Sequence, residues 1–242
     1  MTKRISNLLH ILGRLVKAAL GLLLIPLVIG IVLGLRRQLD GVLLGDRLFT
    51  DWAILGGASY LGIHLLLYKP AALFSIQHGM LSRISLWLFG GQVTTVEPPK
   101  AGSKDKEKKK AAKGNGGGAQ GSTLLALSPY VVPLYAMLAC GLDWALRQRW
   151  EAWWIDAGAA VLIGAALTMH WVMAADRLQQ DRERFPIDAY VLALGIIGVV
   201  SLLIVTACLP LAAPGFSLPG LLADAFTGAA GIYSAVLRTL FF

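Results

Sequence analysis

The chain is short of charged residues, of cysteine and of strand-forming patterns. Only 15% of its 242 residues are Asp, Glu, Lys or Arg, whereas a soluble domain carries about a quarter. The two cysteines, Cys140 and Cys208, lie within separate apolar runs, which excludes a disulfide framework and a metal-ligand spacing. Hydrophobic residues make up 56% of the chain and the mean hydropathy is +0.65. The sequence therefore predicts an integral membrane protein.

Apolar runs of about 20 residues, the length that crosses a bilayer, recur along the chain. We predict an all-α polytopic membrane protein with about six transmembrane helices and one short β-hairpin-like element. The basic segment Ile5–Lys17 is expected to lie on the membrane surface, and the tail Gly220–Phe242 is either a seventh span or an interfacial helix. The predicted helices cover residues 18–35, 52–68, 71–89, 123–146, 153–175 and 186–211.

This pattern divides the chain into three regions. Residues 1–51 hold the amphipathic segment, the first span and a linker, residues 52–211 form the membrane core, and residues 212–242 form an apolar tail. Within the core, residues 97–122 are rich in lysine and glycine and contain no large apolar side chain, so they are predicted to form a disordered loop. The preceding QVTTVE, residues 92–97, is the strand candidate.

Lysine and arginine predict the orientation of the chain. The positive-inside rule places residues 97–113 and the arginine-rich segment 174–185 in the cytoplasm. Counting the predicted helices from the loop at 97–113 back to the start of the chain then puts the basic N-terminus outside. Two alternatives avoid this: the helix Ile5–Lys17 lies on the membrane surface, or one of the second and third helices does not cross the membrane. We attribute the net charge of +8 to membrane topology and to anionic lipids, and expect no nucleic-acid partner.

Three features of the predicted helices concern packing. The small residues of IDAGAAVLIGAAL, 155–167, predict that this helix approaches a neighbour closely. Pro129 and Pro133 are expected to kink the predicted fourth span and to free carbonyls that line a cavity. Tryptophans form a predicted aromatic belt at one interface, at positions 144, 150, 153 and 154.

The segment HGMLSRISLWLFGG, residues 78–91, resembles the zinc-binding helix of the site-2 protease family of intramembrane metallopeptidases. In that family HExxH places two zinc-binding histidines on one helical face and supplies a glutamate as the general base. His78 falls on the first histidine, Gly79 on the glutamate and Ser82 on the second histidine.

Later landmarks extend the resemblance in chain order. Gly90 and Gly91 match the Gly-Gly pair that ends the family's zinc-binding helix, and QVTTVE resembles strand material of the hairpin that follows. The segment LLALSPYVVPLYAML, with its two prolines, resembles the next helix of one bacterial branch. In LTMHWVMAADRLQQD, which resembles the following core helix, Asp181 falls near the third zinc ligand.

The resemblance covers about residues 68–209 and implies a site-2 protease-like core, but the motif departs from the family at the chemistry. A catalytic zinc needs about three protein ligands, and its water needs a general base. Gly79 has no side chain and Ser82 is a poor neutral ligand. We therefore expect a pseudopeptidase without enzymatic activity or cofactor, acting as a scaffold or partner-binding subunit in the bacterial cytoplasmic membrane.

Two other functions stay open at this point. His78 with His170 and Asp181 matches a catalytic zinc set by residue type, which would make the chain a zinc metallopeptidase that cleaves membrane proteins. Prolines and ionisable residues within the spans would also suit a small transporter or channel subunit. Each of these functions implies contact with membrane lipids, and the scaffold also implies a membrane-protein partner.

Overall fold

The computed structural model describes residues 2–66, 75–77, 79–81, 130–150, 152–180 and 187–241, with side chains for all of these except residues 2–10 and 188. Residues 75–77 and 79–81 are helical. The strands β1 (Leu43–Leu44) and β2 (Arg47–Leu48) join the first two helices. The helices are α1 (Thr2–Leu39), α2 (Phe49–Leu66), α3 (Leu134–Arg147), α4 (Trp153–Gln180), α5 (Ile187–Ala212) and α6 (Leu218–Phe241).

Among the described residues, four helices are long and apolar enough to cross a membrane, so the predicted six spans are not all supported. They are Ile11–Leu39 within α1, Trp153–Gln180, Ala189–Ala212 within α5, and Leu218–Phe241. Helix α2 has 18 residues and includes Asp51 and His64, and α3 has 14 residues because it begins only after Pro133. The predicted helix 71–89 lies mostly outside the described residues. The tail, for which two interpretations were open, forms one of the four long apolar helices.

The predicted surface helix Ile5–Lys17 continues into the first span without a break. Helix α1 has 38 residues and contains Pro26. At 1.5 Å per residue its length is about 57 Å, well above the roughly 30 Å of a hydrocarbon core. The basic N-terminal part of α1 is therefore an extension of the span rather than a separate helix.

A β-hairpin that the sequence analysis missed joins α1 to α2. Leu43 pairs with Leu48 and Leu44 with Arg47, antiparallel. Gly45 has a φ of +68°, which glycine adopts without a Cβ clash and which a two-residue hairpin turn requires. The Gly-Asp pair between two leucine-containing pairs is a recognised turn signal. The hairpin predicted at residues 92–97 lies outside the described residues.

The helices alternate in direction relative to the end of the bundle that carries β1 and β2, which we call the hairpin end. Trp153, at the start of α4, contacts Gly45 of the turn. Arg147, at the end of α3, contacts Asp156 near the start of α4 and the carbonyl of Ala212 at the end of α5. Helices α1, α3 and α5 therefore run toward the hairpin end, and α2, α4 and α6 run away from it.

This order of directions bears on the predicted topology. Helix α1 begins, and α4 ends, at the end of the bundle opposite the hairpin. The helix count from the sequence had put the N-terminus and segment 174–185 on opposite sides. The described helices favour the alternative in which one of the predicted second and third helices does not cross, and this stays a prediction because most of the predicted helix 71–89 lies outside the described residues.

Glycines let the helix backbones approach closely. Gly56 of α2 faces the carbonyl of Val161, and Gly164 of α4 faces the carbonyl of Ala53. A Cβ at either glycine would collide with backbone atoms. Apolar side chains gain little by leaving lipid, so such contacts between small residues are what hold membrane helices together. The close packing predicted for segment 155–167 is confirmed.

Helix α1 packs against both α5 and α6. Gly30 and Gly34 face the backbone of α6 around Ala225, and the Tyr233 hydroxyl of α6 donates to the Leu23 carbonyl of α1. The largest buried apolar cluster lies at the hairpin end and includes Phe49, which is 1% exposed. Much of the buried apolar core of the described residues therefore lies toward the hairpin end.

We expect Gly164→Ala to lower the free energy of unfolding by about 1–3 kcal/mol, because the new methyl group would overlap the Ala53 carbonyl. Gly158→Ala on the same helix is the control, since nothing lies within 4 Å of a Cβ at that position. Thermal unfolding of both variants in the same detergent measures the difference. Equal melting temperatures would contradict the contact between α2 and α4.

Candidate functional site

Within the part of the chain that the structure describes, three buried polar side chains do not bond to a backbone carbonyl of their own helix. The buried polar residues are Gln77, Asp143, His170, Ser201 and Thr206. Ser201 and Thr206 donate to carbonyls three residues earlier in α5, so they are locally satisfied. Gln77 and His170 form one polar site, and Asp143 belongs to another.

The first site lies where α4 meets the helical residues 75–77 and the start of α3. Gln77 and His170 are each 1% exposed. The Nε2 atom of Gln77 donates to the Val132 carbonyl at 2.8 Å and lies 3.2 Å from Nδ1 of His170. Val132 precedes Pro133, the residue that caps the N-terminus of α3, so its carbonyl lies at a break in the helix.

These contacts determine the protonation of the imidazole. An amide nitrogen only donates, so Nδ1 of His170 accepts and the neutral ring carries its proton on Nε2. The Val132 carbonyl fixes the amide of Gln77, because the flipped amide would place two oxygens together. Nε2 of His170 and Oε1 of Gln77 make no hydrogen bond of good geometry within the described residues, although the Tyr130 backbone lies near the ring. Protonated Nε2 has no lone pair for a metal.

The position that matches the family's glutamate faces away from this site. Gly79 is exposed and nothing lies within 4 Å of a Cβ built there, whereas Gln77 and Leu81 are buried. Gln77 and Leu81 are four residues apart and share a helical face, and Gly79 lies on the other face. The inward-facing polar residue of this segment is therefore Gln77, which the sequence analysis did not single out.

The remaining predicted site residues are not tested by the structure. The described residues contain no group of three His, Cys, Asp or Glu that would hold a metal ion. The structure places His170 beside the residue that precedes His78, and it leaves the proposed zinc set of His78, His170 and Asp181 open. The residues outside the described part are His78, Ser82, Gly90, Gly91, Pro129 and Asp181.

The second site is an ion-pair cluster at the hairpin end. Nε of Arg147 lies 3.0 Å from Oδ2 of Asp143 and 2.8 Å from Oδ1 of Asp156, and Nη2 donates to the Ala212 carbonyl at 2.5 Å. The side chain of Asp143 is 1% exposed, and those of Arg147 and Asp156 are about one fifth exposed. One guanidinium thus joins α3, α4 and the C-terminus of α5.

Helix geometry explains how this cluster assembles. Asp143 and Arg147 are four residues apart and therefore lie on one face of α3. Arg147 lies in the last turn of α3 and Asp156 in the first turn of α4, where the helix dipoles favour these charges. The sequence analysis missed the cluster, although two ionisable residues at this spacing in an apolar helix are a usable signal.

An apolar groove of about 750 Å³ lies between α3 and α4 beside this cluster. Asp143 forms part of its wall, and its rim includes Trp150 and Trp154, which are 58% and 64% exposed. Trp52, Leu142, Leu146 and Trp153 also line it. Three of the four tryptophans of the predicted aromatic belt, at positions 150, 153 and 154, therefore line this groove.

No protein-family model matches the chain, and no curated protein or solved structure matches it. The resemblance to site-2 proteases therefore rests on the motif residues alone and stays a prediction.

We expect Arg147→Gln to lower the free energy of unfolding by about 3–5 kcal/mol, because it leaves Asp143 buried without its countercharge. The double variant Asp143→Asn with Arg147→Gln should recover part of that loss. Denaturation of the single and double variants forms the cycle that measures the coupling. Arg149→Gln is the matched control because Arg149 is exposed, and a loss in that control as large as in Arg147→Gln would argue against the cluster.

Proposed function

We propose that the chain is a non-catalytic integral membrane protein that acts as a scaffold or partner-binding subunit. The supporting observation is that Gln77 occupies the inward face of segment 75–81 while Gly79 faces outward. A zinc peptidase would need a carboxylate near the metal-bound water and an imidazole with a free lone pair. Gly79 supplies no carboxylate, and Gln77 leaves His170 with its proton on Nε2.

In this proposal the polar pair has a structural role. Gln77 connects α4, through His170, to the carbonyl of Val132 ahead of α3. A hydrogen bond between membrane helices contributes about 0.6–2 kcal/mol, and it fixes which faces of the elements meet. His170 then orients segment 75–81 instead of binding a reactant.

The charge distribution supports a cytoplasmic position for the start of α1 and the end of α4. Two arginines at the hairpin end pair with carboxylates, Arg36 with Asp40 and Arg37 with Asp224. Residues 36–51, 147–156 and 213–224 contain no lysine. The opposite end carries the basic start of α1 and the end of α4, which two further arginines follow in the sequence at positions 182 and 184, so positive-inside logic favours it as the cytoplasmic side of a bacterial cytoplasmic membrane. The lysine-rich residues 97–122 are then a cytoplasmic surface for a partner.

We expect the full chain, purified without a histidine tag, to hold far less than one zinc ion per chain by elemental analysis. Restoring the motif with Gly79→Glu and Ser82→His should yield no zinc-dependent cleavage of a membrane substrate, because position 79 faces outward. Zinc near one per chain that falls in His78→Ala, His170→Ala and Asp181→Ala would overturn the proposal. That result would favour the metallopeptidase with an altered ligand set.

The scaffold role also predicts a specific contact in cells. A photo-crosslinking residue at Lys108 should trap one discrete membrane-protein partner, and the same residue at Arg149 of the hairpin end is the matched control. Crosslinks that are equal at both positions, or absent at Lys108, would count against a partner on the cytoplasmic side.

A further inference from the structure

The ion-pair cluster at the hairpin end contains more acid than base. Asp143 and Asp156 share the single guanidinium of Arg147, whose Nη2 is directed to the Ala212 carbonyl. Both carboxylate oxygens of Asp143 are buried and receive no hydrogen bond of good geometry from the described residues. A second carboxylate in such surroundings is strongly disfavoured unless a proton or a further cation compensates its charge.

The groove beside Asp143 has the size and the walls to supply such a cation. Its volume of about 750 Å³ is within the range of small-molecule sites. Three of its tryptophans, at positions 150, 153 and 154, lie at one end, and the faces of tryptophan rings attract cations. Trp52 already has the guanidinium of Arg47 at 5.5 Å from its ring centroid, which shows one such contact at this end of the bundle.

The rest of the groove suits an apolar chain. Leu142 and Leu146 of α3 and Leu162 of α4 line it, and a Cβ at Gly158 would meet nothing within 4 Å. An anion is disfavoured because Arg147 is directed to two carboxylates and a carbonyl. A neutral apolar ligand would fill the groove but would leave the charge of the excess carboxylate uncompensated.

We propose that this groove binds an amphipathic organic cation, with its ammonium group among the tryptophan rings and its apolar chain between α3 and α4. The carboxylate of Asp143 is buried behind the groove wall, so the excess negative charge of the cluster attracts the ammonium group across a short distance of low dielectric rather than by direct contact. The exposed Trp150 and Trp154 form the rim through which such a molecule enters from the interface. The site is independent of the peptidase motif, because Asp143 lies on α3 at the hairpin end and Gln77 lies at the other end of that helix, beside Val132.

The test titrates the full chain in a neutral detergent with decyltrimethylammonium and follows tryptophan fluorescence. The uncharged tert-butyl analogue and decyl sulfate are the matched probes. We expect saturable binding of the cation, at least tenfold tighter than of either matched probe. Asp143→Asn should weaken binding of the cation at least tenfold and leave binding of the uncharged analogue unchanged. Equal binding of cation and analogue, or full affinity in Asp143→Asn, would overturn the proposal and indicate that a proton compensates the cluster.

Further variants separate binding from folding. Asp156→Asn removes the excess charge but keeps the ion pair of Asp143 with Arg147, so it should also weaken binding of the cation. Trp154→Leu should weaken this binding because the ring lies on the rim, and Arg149→Gln should leave it unchanged. Melting temperatures without ligand identify any variant that fails to fold. If only unfolded variants lose affinity, the site assignment is wrong.

The same titration in nanodiscs distinguishes the source of the ligand. Competition by lipids with choline or ethanolamine head groups, and not by phosphatidylglycerol, would show that the bilayer itself supplies the cation. Undiminished binding in all these lipids would show that the groove takes a free amphipathic cation.

Discussion

Direct contact between helix backbones at glycine is the constraint on which this bundle depends. Surrounded by lipid, helices gain little from burying apolar side chains, so close van der Waals contact has to hold them. Gly56 of α2 faces a carbonyl of α4, and Gly164 of α4 faces a carbonyl of α2, which brings these two helices together. Gly30 and Gly34 of α1 likewise face the backbone of α6. These contacts align the helices so that several of their ends meet around the hairpin. The cluster around Arg147 and the groove beside it exist because of that alignment.

The two polar sites meet the low dielectric of the membrane in different ways. The pair of Gln77 and His170 is uncharged, and one hydrogen-bond pattern determines both the amide orientation and the tautomer. The cluster of Asp143, Arg147 and Asp156 brings two carboxylates to one guanidinium, so its ionisable groups are not matched one to one. The first arrangement fits a fixed structural connection. The second is the basis for the proposed cation site.

Composition and hydropathy predicted the membrane class, and small residues predicted the close packing of α4. The number of spans was not predictable in the same way, because α2 carries ionisable residues and α3 is short. The hairpin around Gly45 had a usable turn signal, but the polar residues on either side of it are also typical of a linker. Periodicity also could not select Gln77, because which face of a short helix turns inward is decided by neighbours far along the chain. The next residue, His78, matches the family motif, whereas Gln77 has no counterpart in it.

The packing of α1 has a consequence for the order in which the bundle assembles. Among the described elements its main neighbours are α5 and α6, which begin at Ile187 and Leu218, while it touches α2 only slightly. During synthesis α1 therefore enters the bilayer long before α5 and α6 exist. Gly30 and Gly34 make their contacts with α6 only after that helix has been inserted. Assembly then ends with the pairing of segments that are far apart in sequence, the slowest kind of contact to form.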